Sequence, residues 1–203
     1  MDSLYIGLER GALVIEGAQY TVKKPVLYYG SSITQGGCAS RPGNSYQAII
    51  SRRLDCDYIN LGFSGSARGE EVIAEYMSGL SVSAFVCDYD YNASGVEHLG
   101  ATHERLFQKF RDKNSNIPVI FVSKPNFEYD ARESILRRDV IYSTYIRAVR
   151  GGDRHVYFVD GYGLFKDENR DCCTVDGVHP NDAGFVRMAE VIGCVVGQAL
   201  REQ

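Results

Sequence analysis

Long apolar runs are missing from this 203-residue chain. The uninterrupted ones extend for only a few residues, far short of the roughly 20 that a bilayer-spanning helix needs, so no membrane span is expected. Residues 1–10 also lack the basic-then-apolar pattern of an export signal, which reads as an unexported, cytoplasmic chain. Excess positive charge is missing too. With 22 Lys and Arg against 26 Asp and Glu, a formal charge of −4 and a pI near 5.6, there is no basic stripe for nucleic acid. Arg52-Arg53 and Arg137-Arg138 are isolated pairs, read as solvated helix faces. The six cysteines, Cys38, Cys56, Cys87, Cys172, Cys173 and Cys194, contain no C-x-x-C and no metal-ligand spacing. They are expected to be mostly reduced, since a domain of this size needs no disulfide staples. No metal, cofactor, internal repeat or low-complexity tract is indicated.

The chain does carry core material. A hydrophobic content of 44% and a charged content of 24% suit one soluble domain. Apolar runs at 25–29, 58–61, 84–87, 118–122 and 155–159 read as five buried parallel strands. Helical patterns at 45–54, 70–80, 96–112, 130–149 and 182–200 fall between and after them. That alternation predicts an α/β fold, a three-layer α/β/α domain with a doubly wound five-stranded parallel sheet, over residues 25–203. Residues 1–24 differ: Gly11-Ala12-Leu13-Val14-Ile15 and Tyr20-Thr21-Val22 flank Glu16-Gly17-Ala18 like a short β-hairpin extension.

Two segments at opposite ends of this domain carry nucleophile chemistry. Tyr28-Tyr29-Gly30-Ser31-Ser32-Ile33-Thr34 follows the first strand, and Asp176-Gly177-Val178-His179-Pro180 precedes the last helix. Serine attacks at neutral pH only when a base takes its proton, and that base must be oriented by a third group. Ser32, His179 and Asp176 supply these parts. A carboxylate three residues before an imidazole can fold back onto its Nδ1, and Asn181 is placed to cap the helix that follows. Acyl transfer also needs donors for the oxyanion. Asn60-Leu61-Gly62-Phe63-Ser64-Gly65-Ser66 follows the second strand as a glycine-rich turn, and Asp88-Tyr89-Asp90-Tyr91-Asn92 follows the third.

These four blocks, in this order, resemble the SGNH hydrolases, also called the GDSL esterase/lipase family, over residues 26–200. The resemblance implies a flavodoxin-like α/β domain and a serine nucleophile at Ser32, with Asp176 and His179 as the dyad. It also implies an oxyanion hole made by Ser32, Gly65 and Asn92. Three positions depart from the family pattern. Ser31 stands where the family has aspartate and offers a second hydroxyl. Asp90, Tyr91 and Ala93 make the asparagine loop bulkier than the usual G-x-N-D, and Gly62 competes with Gly65. The block Gly36-Gly37-Cys38-Ala39-Ser40-Arg41-Pro42-Gly43 resembles a bacterial subgroup whose members often carry an additional N-terminal β-domain.

The expected activity is hydrolysis of a small-molecule carboxylic ester through an acyl-enzyme. Acyl transfer to an alcohol, or a silent ligand-binding module, stand as alternatives. Arg41, Asn126 and Tyr91 are candidate substrate contacts on crevice loops, with Lys124 and Tyr89 nearby, and they favour a short acyl group on a polar or carbohydrate carrier. His98 and His103 read as surface positions on a helix and His155 as a structural residue opening a strand. Asp88-x-Asp90-x-Asn92 lacks the glycine and glutamate of a calcium loop.

Overall fold

The computed structural model describes residue 3, residues 5–165 and residues 169–202, with Phe127 described by its backbone alone. Five strands, β1 (Val22–Gly30), β2 (Cys56–Gly62), β3 (Ala84–Asp88), β4 (Val119–Val122) and β5 (Val156–Val159), form one parallel sheet in the order β2-β1-β3-β4-β5. The helices are α1 (Ser32–Gln35), α2 (Tyr46–Leu54), α3 (Glu71–Ser78), α4 (Val96–Lys113), α5 (Ala131–Arg150) and α6 (Asp182–Arg201). The predicted three-layer α/β architecture is the one observed.

Successive strand residues face opposite sides, and both sides of this sheet are covered. Val26 and Tyr28 point into a core completed by Tyr46 and Ile50 of α2 and by Phe185, Met188 and Ile192 of α6. Leu27 and Tyr29 point into the other, with Met77 of α3, Leu106 and Phe110 of α4 and Ile141 of α5. The order of strands reverses at β1, which lies between β2 and β3, and a crevice opens at such a switch point beyond the carboxyl ends. Gly30, the last residue of β1, pairs with Gly62 on one side and with Asp88 on the other, so three of the sequence blocks leave the sheet in one row.

Glycine is required in that row. A Cβ on Gly30 would lie 2.1 Å from Thr34 Oγ1 and 2.2 Å from the Asp88 carbonyl oxygen. One on Gly62 would lie 2.2 Å from the Gln35 backbone nitrogen, because α1 sits directly on the end of β2.

The expected N-terminal hairpin does not form. Residues 11–20 make no strand, and Leu13, Val14 and Ile15 are exposed. A lone two-stranded ribbon has no face against which to bury its apolar side chains. Regular structure begins at Val22. There the chain is tied by Thr21 N–H to Asp55 Oδ2 (3.0 Å) and by Val22 N–H to the Asp55 carbonyl (3.2 Å). The register shift between Val22 and Val26 spans Pro25, which has no N–H to give the ladder.

Among the described residues one helix, Asp182–Arg201, is long and apolar enough to cross a membrane by length and composition, with mean hydropathy 1.4. Here it packs beside α2 on one face of the sheet, with Phe185, Met188, Ile192 and Val196 fully buried.

Candidate active site

Between β1 and α1 the chain turns sharply, and the two adjacent serines are assigned different work. Ser31 is buried and acts as the N-cap of α1, its Oγ accepting the Ile33 N–H at 3.2 Å. Ser32 is the first helical residue, and its Oγ lies 2.9 Å from His179 Nε2. The turn is pinned from below. Asn60 Nδ2 donates to the Thr34 carbonyl at 3.0 Å, Gln47 donates to the same oxygen, and Thr34 Oγ1 and Tyr46 OH both donate to Asp88 Oδ2. Burial, reinforced by neighbouring Asp90, pushes the Asp88 carboxyl well up.

The histidine loop is self-bracing. Asp176 Oδ1 accepts the backbone N–H groups of Val178 (2.9 Å) and His179 (2.7 Å), while its Oδ2 lies 2.7 Å from His179 Nδ1. The His179 backbone N–H, then its ring, then the Val178 N–H hold this carboxyl down at about 2. Gly177 makes the turn at φ +86°, and Val175 N–H donates to the His179 carbonyl at 3.0 Å. Asn181 caps α6 as expected, accepting the Gly184 N–H at 3.2 Å. Asp182, the next residue, accepts from Ser40 N–H (2.9 Å), Ser40 Oγ (2.6 Å) and Asn44 Nδ2 (2.8 Å). The segment after the nucleophile is thereby stitched to the helix after the base.

Three candidate donors lie on the segments that follow the neighbouring ends of β1, β2 and β3. The N–H of a first helical residue, here Ser32, has no acceptor inside its helix. Gly65 sits at φ +68°, and among the described residues its N–H meets no acceptor. Asn92 Oδ1 accepts the Ala67 N–H at 3.4 Å, which ties the carbonyl end of the amide to the glycine loop and leaves Nδ2 as its donor end. Gly62, the rival, is unsuited: its N–H is held by Asn60 Oδ1 at 2.8 Å and its Cα lies under α1.

Residues 23–197 match the model of the GDSL-like lipase/acylhydrolase family. The chain belongs to that family. Among solved structures, the GDSL-like fold is shared with a protein of Bacteroides ovatus ATCC 8483 described as a GDSL-like lipase (TM-score 0.80, 28% identity, covering 89% of this chain and 54% of that one). It is shared as well with the salicylyl-acyltransferase SsfX3 from a tetracycline biosynthetic pathway (TM-score 0.73, 20% identity, 85% and 54%). A two-domain esterase active on acetylated mannans is also similar (TM-score 0.64, 21% identity, 89% and 50%). The chain spans about half the length of these relatives. No curated protein matches it.

Within this GDSL-like frame, the predicted substrate contacts Asn126, Tyr91 and Arg41 have the following surroundings. The Asn126 side-chain amide donates to the Gly177 carbonyl in the histidine loop. Tyr91 OH donates to the Pro125 carbonyl at 2.8 Å, with Lys124 Nζ 5.0 Å from the centre of its ring. Both residues join active-site loops to one another. Arg41 is exposed, and its charge helps to hold the Asp182 carboxyl low, behind the hydrogen bonds from Ser40 and Asn44.

Two surface readings need correction. His103 is buried, stacked against Tyr89 (5.9 Å between ring centres) and close to Phe121 (5.0 Å), because it lies on the same α4 stripe as Leu99, Leu106 and Phe110. Burial, with the charge of Arg147 added, pushes its pKa down to about 3. Arg137 is also buried rather than solvated, on the α5 stripe of Ser134, Ile141, Thr144 and Ala148. His155 is structural, its N–H donating to Asp153 Oδ1 at 2.9 Å. All six cysteines are free thiols.

A cavity of about 740 Å³ lies between α3 and α4, and Ser32, Asp176 and His179 do not line it. Ser32, His179 and Asp176 lie instead on an open rim, with the Asp176 and His179 side chains 49% and 31% exposed.

Proposed function

We propose that this chain is a serine carboxylic ester hydrolase for short acyl groups carried on a polar, carbohydrate-like alcohol. The 2.9 Å bond between Ser32 Oγ and His179 Nε2, backed by Asp176, carries that reading. His179 takes the hydroxyl proton as Ser32 Oγ attacks the ester carbonyl. Asp176 holds the ring in the tautomer that leaves Nε2 free to accept, then steadies the imidazolium. The N–H groups of Ser32 and Gly65 and the amide of Asn92 receive the oxyanion, and removing one such donor costs about 100- to 1000-fold in rate. Collapse expels the alcohol with the proton from His179, leaving acyl-Ser32. Water, deprotonated by the same histidine, releases the acid. No cofactor enters these steps.

An open rim supports the substrate class. A long acyl chain needs an enclosed apolar channel, whereas a triad this exposed admits a bulky polar carrier with only its acyl group at the serine. The test is release of p-nitrophenol from p-nitrophenyl acetate: Ser32→Ala is expected to abolish it while leaving the thermal unfolding curve in place. Unchanged turnover would remove Ser32 from the mechanism. A series from acetyl to decanoyl esters, run beside acetylated sugars, tests the acyl and carrier preferences. Addition of a sugar acceptor, with mass spectrometry for a new ester, distinguishes hydrolysis from acyl transfer.

A further inference from the structure

We infer that Arg137 is a positioning residue for the oxyanion hole, holding the turn that carries Asn92 by bridging the backbone carbonyls on either side of it. The inference rests on the role given to Asn92 above. Asn92 ends a short 3-10 turn, Asp90–Asn92, closed by Asn92 N–H to the Tyr89 carbonyl (2.9 Å) and Ala93 N–H to the Asp90 carbonyl (3.2 Å). Two such bonds do not fix a loop against its surroundings. Arg137 does so: Nη1 donates to the Asp90 carbonyl and Nη2 to the Ala93 carbonyl at 3.0 Å. One planar guanidinium thus spans the turn, with Asn92 between its two acceptors. An ammonium, a single point donor, cannot reproduce that fork.

The guanidinium is itself fixed. Arg137 is 6% exposed, and Glu133, one helical turn earlier on α5, accepts from Nε at 2.7 Å and Nη2 at 2.6 Å. Asp90 adds a second anchor, its buried Oδ2 accepting the Lys124 N–H at 3.0 Å. A cation buried this deeply needs partners, and here all of them hold the asparagine turn or the helix facing it. The arrangement suits a loop that lacks the compact G-x-N-D sequence: where Asp90 and Tyr91 enlarge the turn, an external clamp sets its shape.

A double-mutant cycle on p-nitrophenyl acetate separates positioning from general stabilisation. Arg137→Ala is expected to lower kcat ~10- to 100-fold with KM nearly unchanged, the scale of loss that misplacing a catalytic group brings. Arg137→Lys should recover part of it. In an Asn92→Ala background, itself down ~100- to 1000-fold, Arg137→Ala should cost almost nothing more, because the group it positions has gone. An equal loss in both backgrounds, or a change in KM alone, overturns the inference. Native kcat in Asn92→Ala overturns instead the oxyanion role of Asn92. Where Arg137→Ala does not fold, Arg137→Lys supplies the same cycle, and an equal cost of that change with and without Asn92 overturns the inference.

Discussion

Ser32 Oγ and His179 Nε2 meet at 2.9 Å although 147 positions separate them in the chain, and Asp176 fixes the histidine from the far side. Asp176→Asn keeps an oxygen for the Val178 and His179 N–H groups but can present N–H instead of a carboxylate oxygen to Nδ1. The ring would then favour the tautomer whose Nε2 carries the proton and cannot accept one. The expected loss in kcat on p-nitrophenyl acetate is about 10,000-fold, the size seen when a triad aspartate is made an amide. A loss below tenfold would show that something other than Asp176 orients His179.

Gly62 and Gly65 should respond oppositely to alanine. At Gly62 the new methyl would stand 2.2 Å from the Gln35 nitrogen, within the backbone of the nucleophile helix, so Gly62→Ala is expected to lower the melting temperature sharply. At Gly65 no atom lies within 4 Å of the methyl position, and the cost is that of a φ of +68°, roughly 1–2 kcal/mol. Gly65→Ala should fold and lose kcat as its N–H is displaced. Thermal unfolding read beside kcat distinguishes the two, and the reverse pattern would assign the oxyanion donor to Gly62.

Asn126→Ala tests whether this residue holds the histidine loop or touches substrate. Its amide donates to the Gly177 carbonyl, midway through the loop from Asp176 to His179. Loss of that tie is expected to reduce kcat roughly tenfold through misplacement of the base. KM should stay near its native value for p-nitrophenyl acetate and for an acetylated sugar alike. A KM rise confined to the sugar ester would return Asn126 to substrate recognition.

The parts of this site that were legible in sequence are those set by local spacing. Asp176 and His179 are three residues apart, and the turn between them forms from their own backbone. The strands read correctly because Val26–Tyr29 and Ala84–Cys87 are continuous apolar runs buried on both faces of the sheet. Residues 11–15 carry the same apolar character, but strand formation there needs a partner that the neighbouring residues do not supply. The charge of Arg137 points to solvent, whereas its position points to the core. Its spacing from Ser134, Ile141 and Thr144 is a core-facing helical stripe, a signal present in the sequence whose meaning depends on what the helix packs against. The acceptors of Arg137, the carbonyls of Asp90 and Ala93, lie more than 40 residues away and carry no side-chain signature.

His103 gives a prediction about pH that is independent of catalysis. Both ring nitrogens are buried and have no hydrogen-bond partner among the described residues, so the folded protein holds the ring neutral, with a pKa near 3 against 6.5 when unfolded. On acidification the unfolded chain takes up a proton that the folded one refuses. Stability is therefore complete above about 6.5 and falls progressively toward about 3. At pH 4.5 the difference from neutral pH amounts to roughly 2–3 kcal/mol. In His103→Phe, which keeps a flat ring beside Tyr89 and Phe121, nothing titrates at that position. The melting temperature of the variant relative to the native protein should rise by roughly 5–10 °C between pH 7 and pH 4.5, given about 2–4 °C per kcal/mol for a chain of this size. Parallel melting curves across that range would mean that His103 binds its proton equally in both states, and so reaches water in the fold.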